Sequence, residues 1–292
     1  MKWQGRRRSS NVEDARGRRV SSPGGGGGLG TIINLVLRMF GIKGIAILAV
    51  LGIVGWQMGL IDPAALMGGG QVQEVEYQAS AEEEALFQFV TVVLADTEDI
   101  WTREFTRIGK SYAEPELVIF RSRIPTACGT GDARMGPFYC PGDKKIYIDL
   151  RFFSELATQF SAPGDFAQAY VIAHEVGHHV QNLLGISRQV SARRGQSDYN
   201  QLSVRLELQA DFLAGLWAKQ NQQYLDRGDI EEAVRAANQI GDDAIQSRTQ
   251  GRVTPHAFTH GTSEQRIRWF QNGFRSGRIE DGDTFEMPYE RL

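Results

Sequence analysis

His174-Glu175-Val176-Gly177-His178 decides the reading of this 292-residue chain. Residues four apart on a helix are separated by one turn plus about 40°, so His174 and His178 share a face, about 6 Å apart along the axis, and can converge on one ion. Glu175 lies beside that face, where a carboxylate reaches a water on the ion rather than the ion itself. The flanking residues, Asp165 to Ala173 and Val180 to Leu184, contain no proline, and Gly185 stands where a helix C-terminus is expected. The motif therefore has the helix that it requires.

Two histidines leave a tetrahedral zinc one protein ligand short, with the fourth position needed for water. Residues 204–218 are mostly apolar or small, and the two acids among them, Glu207 and Asp211, are four apart and share a face. Two buried carboxylates need a cationic partner. One zinc ion per chain with its histidines satisfies both: Glu207 as third ligand, and Asp211 as acceptor for the ring N–H of a ligand histidine, most simply His174. The alternative is that Arg205 or another arginine neutralises the two acids as an ordinary core ion pair.

The arrangement of His174-Glu-x-x-His178 and, 29 positions on, Glu207-x-x-x-Asp211 resembles that of the gluzincin peptidases. More narrowly, the chain resembles the neutral zinc metallopeptidase family of bacterial single-span membrane proteins. The matching pieces are Asn11-Val-Glu-Asp14, Val93-Leu-Ala-Asp-Thr-Glu98, Met135-Gly-Pro-Phe-Tyr-Cys-Pro141, His174 to His179, Glu207 to Asp211 and Thr259-His-Gly-Thr-Ser263. The resemblance implies hydrolysis of peptide bonds in a peptide or protein substrate, with endopeptidase action expected. In that chemistry zinc acidifies a water and polarises the scissile carbonyl, and Glu175 moves the proton to the leaving amine. A membrane-anchored binding or assembly protein with a structural zinc would use the same ligands, and only Glu175 separates the two readings. An intramembrane protease is excluded by position, because Tyr170 to Gln181 is too polar for a bilayer.

His179 is rotated about 100° from the ligand face and points away from the ion; His256 has no local pattern. His260 precedes a segment, Thr262 to Phe270, in which Thr262 and Gln265 form a capping-box pair. Two readings stand for it: a hydrogen bond to the oxyanion of the reaction, or a loop histidine fixed by its turn. Cys128 and Cys140 flank an 11-residue loop and form a disulfide in an oxidising compartment or two thiols in a reducing one.

Residues 1–43 carry nine Lys/Arg and two acids, whereas 44–102 carry nine acids and no Lys/Arg. Between these blocks, Gly44 to Ile61 is an uncharged 18-residue stretch, about 27 Å as a helix, which matches a single membrane span. The expected organisation is a basic, Gly-rich, largely disordered cytoplasmic tail over 1–43, a transmembrane helix over 44–61, a linker over 62–80 and the zinc domain over 81–292. Excess positive charge ahead of the span argues for an inner-membrane protein with its N-terminus inside and its catalytic domain outside, periplasmic where there is a periplasm. Nucleic acid is not an expected partner, because the folded portion is acidic and carries no recognition motif. Oligomeric state is not legible.

Residues 81–109 read as a helix, 117–120 and 145–150 as strands, and 136–141 as an edge strand with proline at both ends; beyond 152 nearly everything reads as helix. The expected fold is α+β, a zincin-like domain with a small antiparallel sheet packed on the metal-binding helices. An exposed edge strand suits an extended peptide, so Phe138, Tyr139 and Cys140 are expected to border the substrate groove, unless Phe138 and Tyr139 simply pack the sheet.

Overall fold

Alternating apolar residues in two short runs build the centre of the domain. In the computed structural model, which describes residues 1–20, 72–74 and 76–292, these runs are β4 (Glu116–Ile119) and β8 (Lys145–Ile148). They are the inner strands of a four-stranded sheet, with β1 (Val12–Asp14) beside β4 and β7 (Phe138–Cys140) beside β8. Period-2 alternation sends Leu117, Ile119, Ile146 and Ile148 into the main core, and Val118, Phe120 and Tyr147 into a second cluster on the opposite face. Both faces of the inner strands are therefore buried, which is the usual condition of parallel pairs.

The sheet is mixed, not antiparallel as expected. β1, β4 and β8 run parallel and only β7 is antiparallel to its neighbour β8. The cause lies in the connections: a long helix, α1 (Ala81–Arg107), lies between β1 and β4 in the chain, and such a crossover returns a strand in the same direction. Between β4 and β7 lies a hairpin that the sequence reading missed, β5 (Arg123–Thr126) with β6 (Gly129–Asp132).

Residues 1–16 also differ from expectation. They belong to the same compact unit as residues 77–292, and are neither a disordered tail nor outside the zinc domain. β1 supplies a sheet edge, and the basic residues before it dock on α1. Arg6 pairs with Asp96, Arg7 lies 2.9 Å from Glu98 and 2.8 Å from Asp99, and Asn11 donates to Glu98 at 2.9 Å. The acids of α1 are the partners of the basic N-terminal block. Residues 17–76 form a second unit, in which β2 (Arg18–Val20) pairs antiparallel with β3 (Val72–Glu74). The predicted span at 44–61 lies outside the described residues; among those described, no helix is long and apolar enough to cross a membrane.

The remaining chain is helical: α2 (Arg151–Thr158), α3 (Asp165–Leu183), α4 (Ile186–Ser191), α5 (Tyr199–Gln220), α6 (Asp229–Gln239), α7 (Asp242–Gln250) and α8 (Ser263–Ser276). α3 carries the His-Glu-x-x-His motif and α5 carries Glu207 and Asp211. Gly177 on α3 sets how close these two helices come, because a Cβ there would meet the Cα and O of Ala210 at 3.1 Å. The packing of α5 on α8 is tighter still. A Cβ on Gly273 would lie 1.9 Å from the Phe212 carbonyl oxygen, and one on Gly215 would lie 2.0 Å from that of Phe270. α8 itself begins at the capping box expected from sequence, with Thr262 Oγ1 accepting from the Gln265 N–H and the Gln265 side chain returning to the Thr262 N–H.

Since backbone cannot yield to an added methyl without moving a helix, Gly273→Ala is expected to lower stability by about 3 kcal/mol in urea unfolding. A loss below about 0.5 kcal/mol, the range of neutral surface substitutions, would show that α5 and α8 are not held at this distance.

Candidate metal centre

The two histidines of α3 are oriented by different partners. His174 Nδ1 lies 2.8 Å from Asp211 Oδ1, and His178 Nδ1 lies 2.9 Å from Gln181 Oε1. Both acceptors require N–H at Nδ1, which leaves both Nε2 atoms free to act as donors to a metal. Those Nε2 atoms converge on Glu207, at 3.2 Å from His174 and 3.4 Å from His178. Ligand atoms at 2.0 to 2.1 Å from a tetrahedral zinc are separated by about 3.3 Å, so this donor set has the size and chemistry of a zinc site.

Asp211 is completely buried and does more than hold one ring. It accepts from Tyr170 Oη at 2.5 Å, and Arg266 reaches it with Nε at 2.9 Å and with a terminal guanidinium nitrogen at 3.0 Å. Asp211 therefore faces both a histidine of the motif and an arginine. The arginine is Arg266 of α8, whereas Arg205 donates to the Thr284 carbonyl. Burial alone would drive the Asp211 pKa up, but Arg266 and His174 outweigh it and hold the carboxyl below its ordinary range. At His174 burial disfavours the cation, yet the Asp211 and Glu207 carboxylates overcome it and raise the pKa to about 9. Glu207 stays ionised despite its burial, since His178 and His260 hold its pKa well down. Metal binding must therefore displace protons from this cluster.

These residues line a cavity of about 690 Å³. His174, Glu175, His178 and Glu207 contribute from α3 and α5, and His260 contributes from the loop before α8. Phe138 and Tyr139 of the edge strand β7 line it as well, while Cys140 is buried away from it. The packing alternative for the two aromatics also holds, because Phe138 stacks on Tyr147 at 5.0 Å and Tyr139 bonds to α3. Cys128 and Cys140 are joined in a disulfide, which ties the β5–β6 turn to the end of β7. His260 is half exposed, with Nδ1 3.0 Å from Thr259 Oγ1 and 3.3 Å from Asp242 Oδ1. The other oxygen of Asp242 accepts from the backbone N–H groups of Thr259, His260 and Gly261, so this one carboxylate shapes the whole loop.

Sequence reasoning missed Tyr170, Gln181, Asp242 and Arg266. Gln181 was within reach, since it lies three residues beyond His178 on the same helix. Asp242 and Arg266 had no local signal, because their partners are 18 and 55 residues away. A second acidic group, Asp165, Asp229 and Glu232, also brings three carboxylates together. There the α-amino group of Met1 stands 2.7 Å from Asp165 and 3.4 Å from Asp229, so one positive charge already lies against the group.

His179 is turned to the opposite side of α3 and is fully buried, between Tyr112 and Tyr139. Nε2 donates to the Ala113 carbonyl at 2.6 Å, and Nδ1 lies 3.0 Å from the Tyr139 hydroxyl, which also accepts from Asn182. Burial pushes its pKa down to about 4.

Two helices beside a mixed sheet thus bring together His174, His178 and Glu207, a donor set of the kind that holds zinc in metallopeptidases. The chain belongs to the family described as "Putative neutral zinc metallopeptidase", whose family model matches residues 1–285. It is 47% identical to the Escherichia coli (strain K12) protein named "Uncharacterized protein YpfJ", over 98% of this chain and 99% of that one. It is 44% identical to "Uncharacterized protein Rv2575" of Mycobacterium tuberculosis (strain ATCC 25618 / H37Rv), over 60% of this chain and 63% of that one. No solved structure matches the chain.

Two measurements test the supporting shell. Asp211→Asn is expected to weaken zinc binding by about 10- to 100-fold in competition with a chelator, and an unchanged affinity would show that the carboxylate does not support the ligand. For His179 the unfolded chain, with a pKa near 6.5, binds the proton that the folded state with a pKa of about 4 rejects. Its contribution is complete above pH 6.5 and is lost as pH falls toward 4, by about 3 kcal/mol. Urea unfolding at pH 4.5 and 7.5 should show a steeper loss for wild type than for His179→Asn.

Proposed function

We propose that this protein is a zinc-dependent endopeptidase that cleaves extended polypeptide segments laid along β7. What carries the reading is the placement of Glu175 in the same cavity as the three converging ligand atoms of His174, His178 and Glu207. A purely structural ion has no use for a carboxylate beside it or for open space above it.

When bound, zinc supplies a Lewis acid that polarises the scissile carbonyl and makes water a nucleophile near neutral pH. The protein's own residues do the rest. Glu175 accepts the proton of the attacking water and returns it to the departing amine nitrogen, so the carboxylate ends the cycle as it began. His260 lines the same cavity, and its raised pKa, due first to the charge of Glu207, favours the protonated form that donates to a developing oxyanion. Asp242 positions that histidine by fixing its loop. Among the described residues β7 pairs with β8 on one side only, and its other edge is the one to which a substrate strand would add by main-chain hydrogen bonds. Phe138 and Tyr139 then flank the substrate near the reacting bond.

The test uses the full chain, because residues 1–16 are part of the folded unit. Glu175→Gln is expected to hold one zinc per chain while cleavage of an unfolded protein substrate falls by about 10²- to 10⁴-fold, the range for removing a general base. His178→Ala should lose both zinc and cleavage. Equal turnover by wild type and Glu175→Gln would sink the general-base assignment, and zinc binding without cleavage by wild type would favour a binding protein. His260→Ala separates the two roles of that residue: a fall in kcat with KM and zinc content unchanged marks oxyanion stabilisation.

A further inference from the structure

The docking of residues 1–16 on the zinc domain constrains how the protein meets a membrane. β1 pairs with β4 in the middle of the chain's principal sheet, with Val12, Glu13 and Asp14 in register with Leu117, Val118 and Ile119. Around this pairing the N-terminal arginines reach the acids of α1, and Ser9 and Asn11 both bond to Glu98. Independently, β2 and β3 pair antiparallel, so Val20 and Val72, the last described residue before the 21–71 stretch and the first after it, are strand partners. The apolar 44–61 run lies between these two points in the chain.

A single crossing would place residues 1–16 and 77–292 on opposite sides of a hydrocarbon layer about 30 Å thick. Backbone pairing and ion pairs with N–O separations near 3 Å cannot span it. Two complete helical crossings need about 40 apolar residues, whereas residues 31–61 number 31 and include Arg38 and Lys43. We infer that residues 1–16 and 77–292 occupy the same side of any bilayer that the protein meets, because both belong to one folded unit. The charge asymmetry that suggests an inside N-terminus has another origin in this fold. Arg6, Arg7 and Arg16 of the basic block are paired within the domain, with Asp96, Glu98, Asp99 and Asp14, so they do not act as a free cytoplasmic flank. This inference does not depend on peptidase activity.

The test is made on the full-length protein in its native membrane. Cysteines at Ser10 and Gln271, both exposed, are placed singly in a background with Cys128 and Cys140 replaced by serine. Each is treated with a membrane-impermeant maleimide in intact cells and again after permeabilisation, with zinc content as the check on folding. The same labelling pattern at both positions is expected. Labelling of one position in intact cells and of the other only after permeabilisation would overturn the inference. In the native-cysteine background, a short bis-maleimide is expected to join Asn11→Cys to Glu114→Cys, whose side chains meet at 2.6 Å. Failure of that cross-link in zinc-loaded protein would show that the N-terminal segment is not docked at all.

Discussion

One buried carboxylate organises the functional end of this protein. Asp211 has no exposed surface and accepts from Tyr170 and His174 on α3 and from Arg266 on α8, while it is itself carried by α5. Three helices are thereby joined at a single side chain. A buried charge of this kind is tolerated only when it is paired and hydrogen-bonded, and removing one partner leaves the others unsatisfied at several kcal/mol. The arrangement constrains the candidate metal site as well as the fold, since the ring that Asp211 orients belongs to the converging group of His174, His178 and Glu207.

Close backbone approach makes that junction possible. Gly177 lets α3 come against Ala210, the neighbour of Asp211, and Gly215 with Gly273 brings α8 against α5. Arg266 reaches the carboxylate because its helix is seated at this distance. The small residue inside the His-Glu-Val-Gly-His motif therefore serves packing. On the opposite face of the same helix, His179 is held neutral among tyrosines and connects α3 to β7 through Tyr139. The edge strand beside the cavity and the helix bearing His174 and His178 are thus linked, and the Cys128–Cys140 bond fixes the far end of that strand.

The N-terminal segment shows how one composition supports two readings. Nine cations before residue 44 and nine acids over 44–102 look like the flanks of a membrane span. In the folded unit, several of those charges are partners: Arg6 with Asp96, Arg7 with Glu98 and Asp99, Arg16 near Glu83 and Glu84. Complementary blocks distant in sequence signal contact as readily as they signal topology, and linear charge counts cannot distinguish the two.

The convergence of His174, His178 and Glu207 was legible in the sequence because each part of it is local. His174, Glu175 and His178 fall on one turn of one helix, and Glu207 with Asp211 on one turn of another, so the helical period alone defines their faces. The capping box at Thr262 and Gln265 was legible for the same reason, as was the strand character of 117–120 and 145–148. Tertiary structure decided whatever depends on pairing across long separations: the parallel placement of β1 against β4, the arrival of Arg266 at Asp211, the hold of Asp242 on the His260 loop, and the docking of arginines 6 and 7 on α1. Hydrogen-bond partners and ion pairs between distant segments leave no periodic trace in a single chain. Strand direction, in turn, is set by the crossover path between strands rather than by the residues within them.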